Sequence, residues 1–239
     1  MERQQKLQIA ILVVGAIGLL AIIWGTFLTG PDLSQGNRTI LVLAADKSEP
    51  RPGLGAVDMA FLIKLEDGSI KKYVPVYPGG MRHPSAPAPA EAQAQGAGSQ
   101  LLLHDSLWDA DNNKGMQLAK EIVEYNRNIT IDVVVAVEVD AIDSVIDSAG
   151  QLMVNGEPVN MSAVDIVREN DQLHGGSMTR GDAVLTLARA LSTAATDPVR
   201  REAMVKTVLD QYSKGNVLTS EESSFMSLLA VKGFESLTN

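Results

Sequence analysis

Apolar and polar positions fall along this chain in blocks that mark its elements in turn. Leu7 to Leu28 is an apolar run without a charge, Gln8 being its only strongly polar side chain. A helix of that length spans roughly 30 Å, the thickness of a bilayer core. Thr29 to Arg38 is rich in turn formers and reads as a tether with a reach of at most about 3.6 Å per residue. Thr39 to Ala45, Val57 to Leu65 and Ile70 to Tyr77 read as three strands. Asp67-Gly68 joins the last two as a tight hairpin turn, because glycine takes positive φ readily.

The pattern then loosens. Pro78 to Gln100 is dominated by Pro, Ala, Gly and Gln and reads as a long functional or mobile loop, with helix beginning near Ala90. Gly115 to Asn126 places Met116, Leu118, Ala119, Ile122 and Val123 at helical spacing. Ile131 to Val137 is apolar enough for a central strand. Val139 to Ala149 predicts a helix ended by Gly150, and Asn155-Gly156 a hairpin within Leu152 to Val159. Ser162, Asp182 and Asp197-Pro198 each sit at the start of a further helix, and Ser220-Glu221 at the start of the last. Met204, Val208 and Leu209 share a face of the helix after Pro198.

This order predicts an α/β fold, a mixed β-sheet covered by helices and preceded by one N-terminal transmembrane helix. Residues 1–6 form a cytoplasmic stub, 7–28 the membrane helix, 29–38 the tether, and 39–239 one extracytoplasmic α/β domain with C-terminal helices. Arg3 and Lys6 precede the apolar run and Asp32 follows it, so the positive-inside rule puts the N-terminus in the cytoplasm. A cleaved signal peptide is the alternative. The run is longer than the usual apolar region of about 7–15 residues, and no A-x-A site follows it.

Charge narrows the chemistry. The 239 residues carry a net charge of −9 with a pI near 4.8, which excludes broad nucleic-acid binding and leaves any anion site local. The absence of cysteine excludes disulfides, thiol catalysis and zinc–thiolate sites. There is no G-x-S-x-G, H-E-x-x-H or Walker A sequence.

Four stretches carry candidate chemistry. Asp46, Arg51 and Asp58 bracket the loop between the first two strands, where two carboxylates suit a hard cation and a guanidinium suits phosphate. The same residues also read as a turn cap, a solvated arginine and a strand-end carboxylate. Arg82 and His83 follow Gly79-Gly80 and read either as an anion contact or as exposed loop. His104, Asp105, Trp108, Asp109 and Asp111 read as metal ligands or a sugar platform, or as charges around one buried Trp. Arg168, His174 and Arg180 surround Gly175-Gly176 ahead of a predicted helix start, an arrangement that favours anions or serves as an ordinary interhelical loop.

Taken together, LVLAADKSEPRPGLGAVDMAFLI, PVYPGGMRHP, HDSLWDAD, IDVVVAV and HGGSMTRGD resemble the archaeal members of a membrane-anchored domain-of-unknown-function family. More distantly the chain is similar to the LytR–CpsA–Psr family of cell-wall glycopolymer transferases. Asp46, Arg51 and Asp58 match that family's aspartate after the first strand and its arginine and aspartate at the second. Ile131-Asp132 through Val137 and Ile146 through Gly150 match its later strand and turn. Arg168 and Arg180 fit its arginine motif. Ala183 and Ser177 depart from it, Val76-Tyr77-Pro78-Gly79 replaces I-P-R-D, and Arg82 is the arginine nearest the lost position.

The resemblance implies a polyprenyl-pyrophosphate-linked glycan as substrate and Mg²⁺ or Mn²⁺ as cofactor. Asp46 and Asp58 would hold the metal, Asp58 would act as base, and Arg51, Arg82, Arg168 and Arg180 would bind phosphate. His104, Asp105, Trp108 and His174 are secondary candidates. The alternative is a non-catalytic envelope module that binds glycan, lipid or a protein partner through Pro78 to Asp111. The departures from the arginine pattern bear directly on this choice, because phosphoryl transfer depends mainly on positioning and charge stabilisation.

Overall fold

A computed structural model describes residues 30–49, 51–160, 162–163 and 180–228. The apolar run from Leu7 to Leu28 lies outside the described residues. Among the described residues, no helix is long and apolar enough to cross a membrane.

The organising strand is β1, Asn37–Asp46, which is buried along most of its length. It pairs antiparallel with β2, Ala56–Glu66, and parallel with β6, Val133–Glu138. β3, Ser69–Val76, extends the sheet beyond β2, and β9, Val217–Thr219, extends it beyond β6 in the order β3-β2-β1-β6-β9. The β2–β3 turn uses Asp67 and Gly68 at φ 48° and 71°, the left-handed conformation expected of that pair. Along the exposed edge of the sheet, β3 carries Lys71, Lys72 and Pro75, residues that discourage pairing with another chain.

Successive side chains of β1 point to opposite faces, so two cores form. Leu41, Leu43 and Ala45 pack with Met116, Ala119, Ile122 and Val123 of α2, Asn112–Arg127, and with Leu103 and Leu107. On the other face, Ala44 joins Ile146 of α3, Val139–Ala149, and Val184 and Leu187 of α4, Arg180–Ala194. α5, Pro198–Ser213, lies against α3, and a further helix occupies 222–228. Asp111 accepts hydrogen bonds from the Asn113 and Lys114 amides at the start of α2. Asp197 does the same for Val199 and Arg200 at the start of α5.

Two stretches differ from their sequence reading. Leu33, in the presumed tether, is buried with Ile40, Leu65 and Val133. Pro78 to Gln100 is ordered. A 3₁₀ turn at Pro78–Gly80 leads into β4, Arg82–Pro87, which pairs with β5, Gln100–Leu102, around the short α1, Ala90–Ala94. His83 anchors this hairpin from inside. Its Nδ1 accepts from the Ser85 and Ala86 amides at 3.1 and 2.8 Å, so Nε2 carries the proton and donates to Glu121 Oε2 at 2.8 Å. An imidazole that appears in sequence to be an exposed charge is a buried strut, 6% accessible. The remaining hairpin, β7 Leu152–Val154 and β8 Glu157–Val159, turns at Asn155-Gly156 as expected.

Candidate functional site

The loop between β1 and β2 is held by its glycines. A Cβ on Gly53 would lie 2.2 Å from the Leu107 carbonyl oxygen and 2.3 Å from that of Asp109, and the Gly53 amide donates to the Trp108 carbonyl at 3.0 Å. Gly55 has φ +132°, and a Cβ there would lie 2.5 Å from the Asp46 carbonyl oxygen. The loop is thereby pressed against the segment after β5, bringing Glu49 and Arg51 to His104, Asp105 and Trp108.

Asp58 reaches the same place by a different device. Ala44 pairs with Met59 and Ala45 with Val57, so Asp58 is the extra residue of a β-bulge, a feature that re-aims a side chain without ending the strand. The one-turn helix Leu103–Asp105 presents the other two groups, His104 and buried Asp105.

Arg51 is the centre of the arrangement. Its side chain is 10% exposed, and Nη2 lies 3.3 Å from Asp105 Oδ1 and 3.1 Å from Glu49 Oε2. Its guanidinium carbon stands 4.3 Å from the centroid of the Trp108 ring, a cation–π contact. Nε is buried with no hydrogen-bond partner among the described residues. His104 adds Nε2 at 3.6 Å from Glu49 Oε2 and Nδ1 at 3.6 Å from Asp58 Oδ1.

Trp108 and Asp105 also wall a groove of about 570 Å³, whose remaining lining is largely apolar and includes Ala86, Ala88, Leu101 and Leu118. At its rim Lys114 donates to Asp109 at 2.6 Å. That contact holds the Asp109 carboxyl below the usual carboxylate range and raises the Lys114 ammonium above its own.

The structure gathers some of the sequence candidates and separates others. Arg51, Asp58, His104, Asp105 and Trp108 form one cluster. Asp46 caps the following turn, both its carboxylate oxygens accepting from Ser48, the amide and the hydroxyl each at 2.7 Å. Arg82 braces the β4–β5 hairpin through the Ala97 and Gln100 carbonyls, each at 3.4 Å. Arg180 opens α4, but its side chain, with all of Arg168 and His174, lies outside what is described. Glu49 was not singled out in sequence. Its proximity to Arg51 was visible there, but only the fold brings it against His104.

A family model for proteins of unknown function, DUF4012, matches residues 35–172. The chain belongs to the DUF4012 family. A search of curated proteins finds no match. Among solved structures, the chain is similar to TagV of Bacillus subtilis, with 14% identity, coverage of 84% of this chain and 80% of that one, and a TM-score of 0.52. It is also similar to the Bacillus subtilis protein yvhJ, described as a transcriptional regulator, with 17% identity, coverage of 83% and 77%, and a TM-score of 0.51. For gbs0355 of Streptococcus agalactiae the identity is 12%, the coverage 84% and 75%, and the TM-score 0.56. The DUF4012 domain is thus distantly similar in fold to the LytR–CpsA–Psr proteins.

Proposed function

We propose that this DUF4012 protein acts in cell-envelope glycopolymer assembly, binding a polyprenyl-pyrophosphate-linked glycan and transferring its phosphoglycosyl group to a polymer hydroxyl. The observation that carries the reading is the continuity of Arg51 with the groove: Trp108 and Asp105 contact the guanidinium and also line the apolar channel. One ligand with an anionic head and an apolar tail would use both. The distant likeness to LytR–CpsA–Psr proteins is consistent with this substrate class.

Within this reading Arg51 holds the pyrophosphate, its guanidinium fixed in place by Asp105 and the Trp108 ring. The acceptor oxygen attacks phosphorus, the bond from phosphorus to the bridging oxygen breaks, and polyprenyl phosphate departs. Asp58, set apart by its bulge, receives the acceptor's proton. The clustered carboxylates of Glu49 and Asp58 fit a divalent cation such as Mg²⁺ or Mn²⁺, which when bound would offset charge on the phosphate oxygens. Arg168 and Arg180 are proposed to supply further phosphate contacts. Leu7 to Leu28 is proposed as a retained single-pass anchor, N-terminus in the cytoplasm, keeping the domain beside its lipid-borne substrate.

The groove's lining comes mostly from the stretch between Ala86 and Leu118, and this favours a second reading in which the domain only binds its ligand. Equilibrium binding of a long-chain polyprenyl pyrophosphate to the full chain in detergent, against the matching polyprenol, tests both. Saturable binding of the pyrophosphate that weakens in Arg51→Ala supports the site, and release of polyprenyl phosphate from a glycan-linked donor then separates transfer from binding. Equal affinity for the alcohol, or an unchanged Arg51→Ala, removes the pyrophosphate reading.

A further inference from the structure

Residues 30–36, expected from sequence to be a free tether, are built into the domain. Leu33 is 2% exposed and packs with Ile40, Leu65, Val133 and Leu228. Arg38 donates through Nε to the Asp32 carbonyl at 2.9 Å. The Asp67 carboxylate accepts from the Gly36 amide at 2.8 Å, and the Asp67 amide donates to the Gly36 carbonyl at 3.0 Å. Gly30 is pressed on the helix at 222–228, where a Cβ would lie 2.2 Å from Ser224 Oγ. The segment is therefore fixed against the end of the sheet where β1 begins and β2 turns into β3.

Only Thr29 separates Gly30 from Leu28, the last residue of the apolar run, a distance of at most about 7 Å at about 3.6 Å per residue. With that run as the proposed anchor, the tether has no slack, and the Asn37 end of β1 lies at the headgroups. What this end presents fits that neighbour. Ile70 is 46% exposed and stands beside Lys71 and Lys72, both exposed, at the start of edge strand β3. Lys72 pairs across the strands with Lys64, and like charges directly opposed are unfavourable in a sheet. Lys64 donates to Thr39 Oγ1 at 2.8 Å, whereas Lys72 has no ion-pair partner among the described residues. Lys71 meets Glu66 at 3.1 Å, but both side chains are more than half exposed, and such a pair contributes little. The other acids here are engaged, Asp32 by Ser34, Asp67 by Gly36, and Asp132 by Arg38 and Thr39. A chain of net charge −9 thus gathers three lysines around an exposed aliphatic side chain at the end nearest the anchor. Lysines on a sheet edge keep other strands away, and the same ammonium groups are attracted to an anionic membrane surface.

We infer that the Asp67–Lys72 end of the domain docks on anionic headgroups of the membrane that holds its anchor, with Ile70 entering the interface and Lys71 and Lys72 contacting phosphate. The inference rests on the reading of Leu7 to Leu28 as an anchor. Docking sets the direction of the candidate site. β1 runs from this end for 10 residues, about 30 Å at about 3.3 Å each, so Asp46 and the neighbouring Arg51 cluster face away from the bilayer, toward the polymer that accepts the transferred group.

The chain has no cysteine, so one introduced cysteine takes a single label. The full chain carries a fluorophore at Ser69→Cys, beside Ile70, or at Lys214→Cys, near the carboxyl end of β6. Each is reconstituted into phosphatidylcholine vesicles with or without phosphatidylglycerol, and lipid spin-labelled on its headgroup is the quencher. With phosphatidylglycerol present, quenching at position 69 is expected to exceed that at position 214 severalfold. Lys71→Glu/Lys72→Glu, two exposed changes that leave the core intact, is expected to remove about half of the excess or more, and high salt to act in the same direction. Equal quenching at the two positions, in a chain that floats with the vesicles, overturns the docking and leaves the anchor standing. An excess at position 69 indifferent to phosphatidylglycerol and to both lysines overturns the recognition of anionic headgroups. A chain that does not float with the vesicles overturns the anchor and the docking with it. Binding of polyprenyl pyrophosphate at Arg51 is a separate result in every case.

Discussion

Arg51 stands over Trp108 with its guanidinium carbon 4.3 Å from the ring centroid, and Trp108 also lines the groove. A buried cation is thus held by one aromatic face and two carboxylates, Asp105 being 5% exposed. Removing one member of such a group leaves the others uncompensated. Arg51→Ala is expected to destabilise the fold by about 3 kcal/mol, and adding Asp105→Asn is expected to restore more than half of that. Trp108→Leu, which keeps an apolar wall but loses the π face, is expected to cost about 0.5–2 kcal/mol. Urea denaturation of the four chains checks the set, and an undiminished loss in the double variant would deny the pair its buried-charge character.

Gly53 is a packing constraint. A Cβ would meet backbone oxygens on both Leu107 and Asp109, and backbone cannot swing aside as a long side chain can. Gly53→Ala is expected to cost about 1–3 kcal/mol and to lift the loop bearing Glu49 and Arg51 away from His104. Gly96→Ala provides a contrast, because its Cβ meets nothing within 4 Å and only its φ of +95° opposes the change. Thermal melts and Mn²⁺ titrations of the two variants should separate, with Gly53→Ala alone losing metal affinity.

Acid sensitivity should report the His83–Glu121 strut. The hydrogen bond from His83, joined by one from Gln117, holds the Glu121 carboxyl below its ordinary value of 4.5. A lowered folded value contributes stability that is complete above the unfolded value and is lost as pH falls through the folded one. Glu121→Gln is therefore expected to flatten the stability profile below about pH 4.5 and leave its slope near neutrality unchanged, read by denaturant midpoints across pH.

At the alkaline end the group is Tyr212, whose ring packs 6.0 Å from that of Phe225. Burial, aided by Glu222, pushes its hydroxyl up to about 12 from 10.0. The sign is the reverse of the previous case. Stability is intact below pH 10.0 and declines as pH rises toward 12, because the unfolded chain ionises first. Tyr212→Phe should reduce that decline, and spectrophotometric titration of the tyrosines should show one late component that disappears in the variant.

The sheet was legible because its strands advertise themselves. Thr39 to Ala45 and Ile131 to Val137 are too apolar to face water, and Asp67-Gly68 and Asn155-Gly156 can hardly be anything but turns. Less visible was what depends on pairing across the chain. Arg82 to Pro87 has the composition of a loop and becomes β4 because residues 100–102 lie beside it. Val217–Thr219 is three residues long and exists as a strand because β6 offers an edge. The same reason governs the site. Arg51, Asp58 and His104 were candidates by residue type, whereas the bulge that turns Asp58 and the loop contact that adds Glu49 come from register and from Gly53. Asp46 was an equally good candidate in sequence, and two bonds to its near neighbour Ser48 hold it in the turn.

The most direct measurement is a crystal structure of the chain bound to an isoprenyl pyrophosphate long enough to occupy the groove. The proposed function predicts the pyrophosphate on Arg51, beside Glu49, Asp58 and His104, with the hydrocarbon running past Trp108 between Ala88 and Leu118. A ligand bound elsewhere, or a tail in the groove with its pyrophosphate turned away from Arg51, would contradict it.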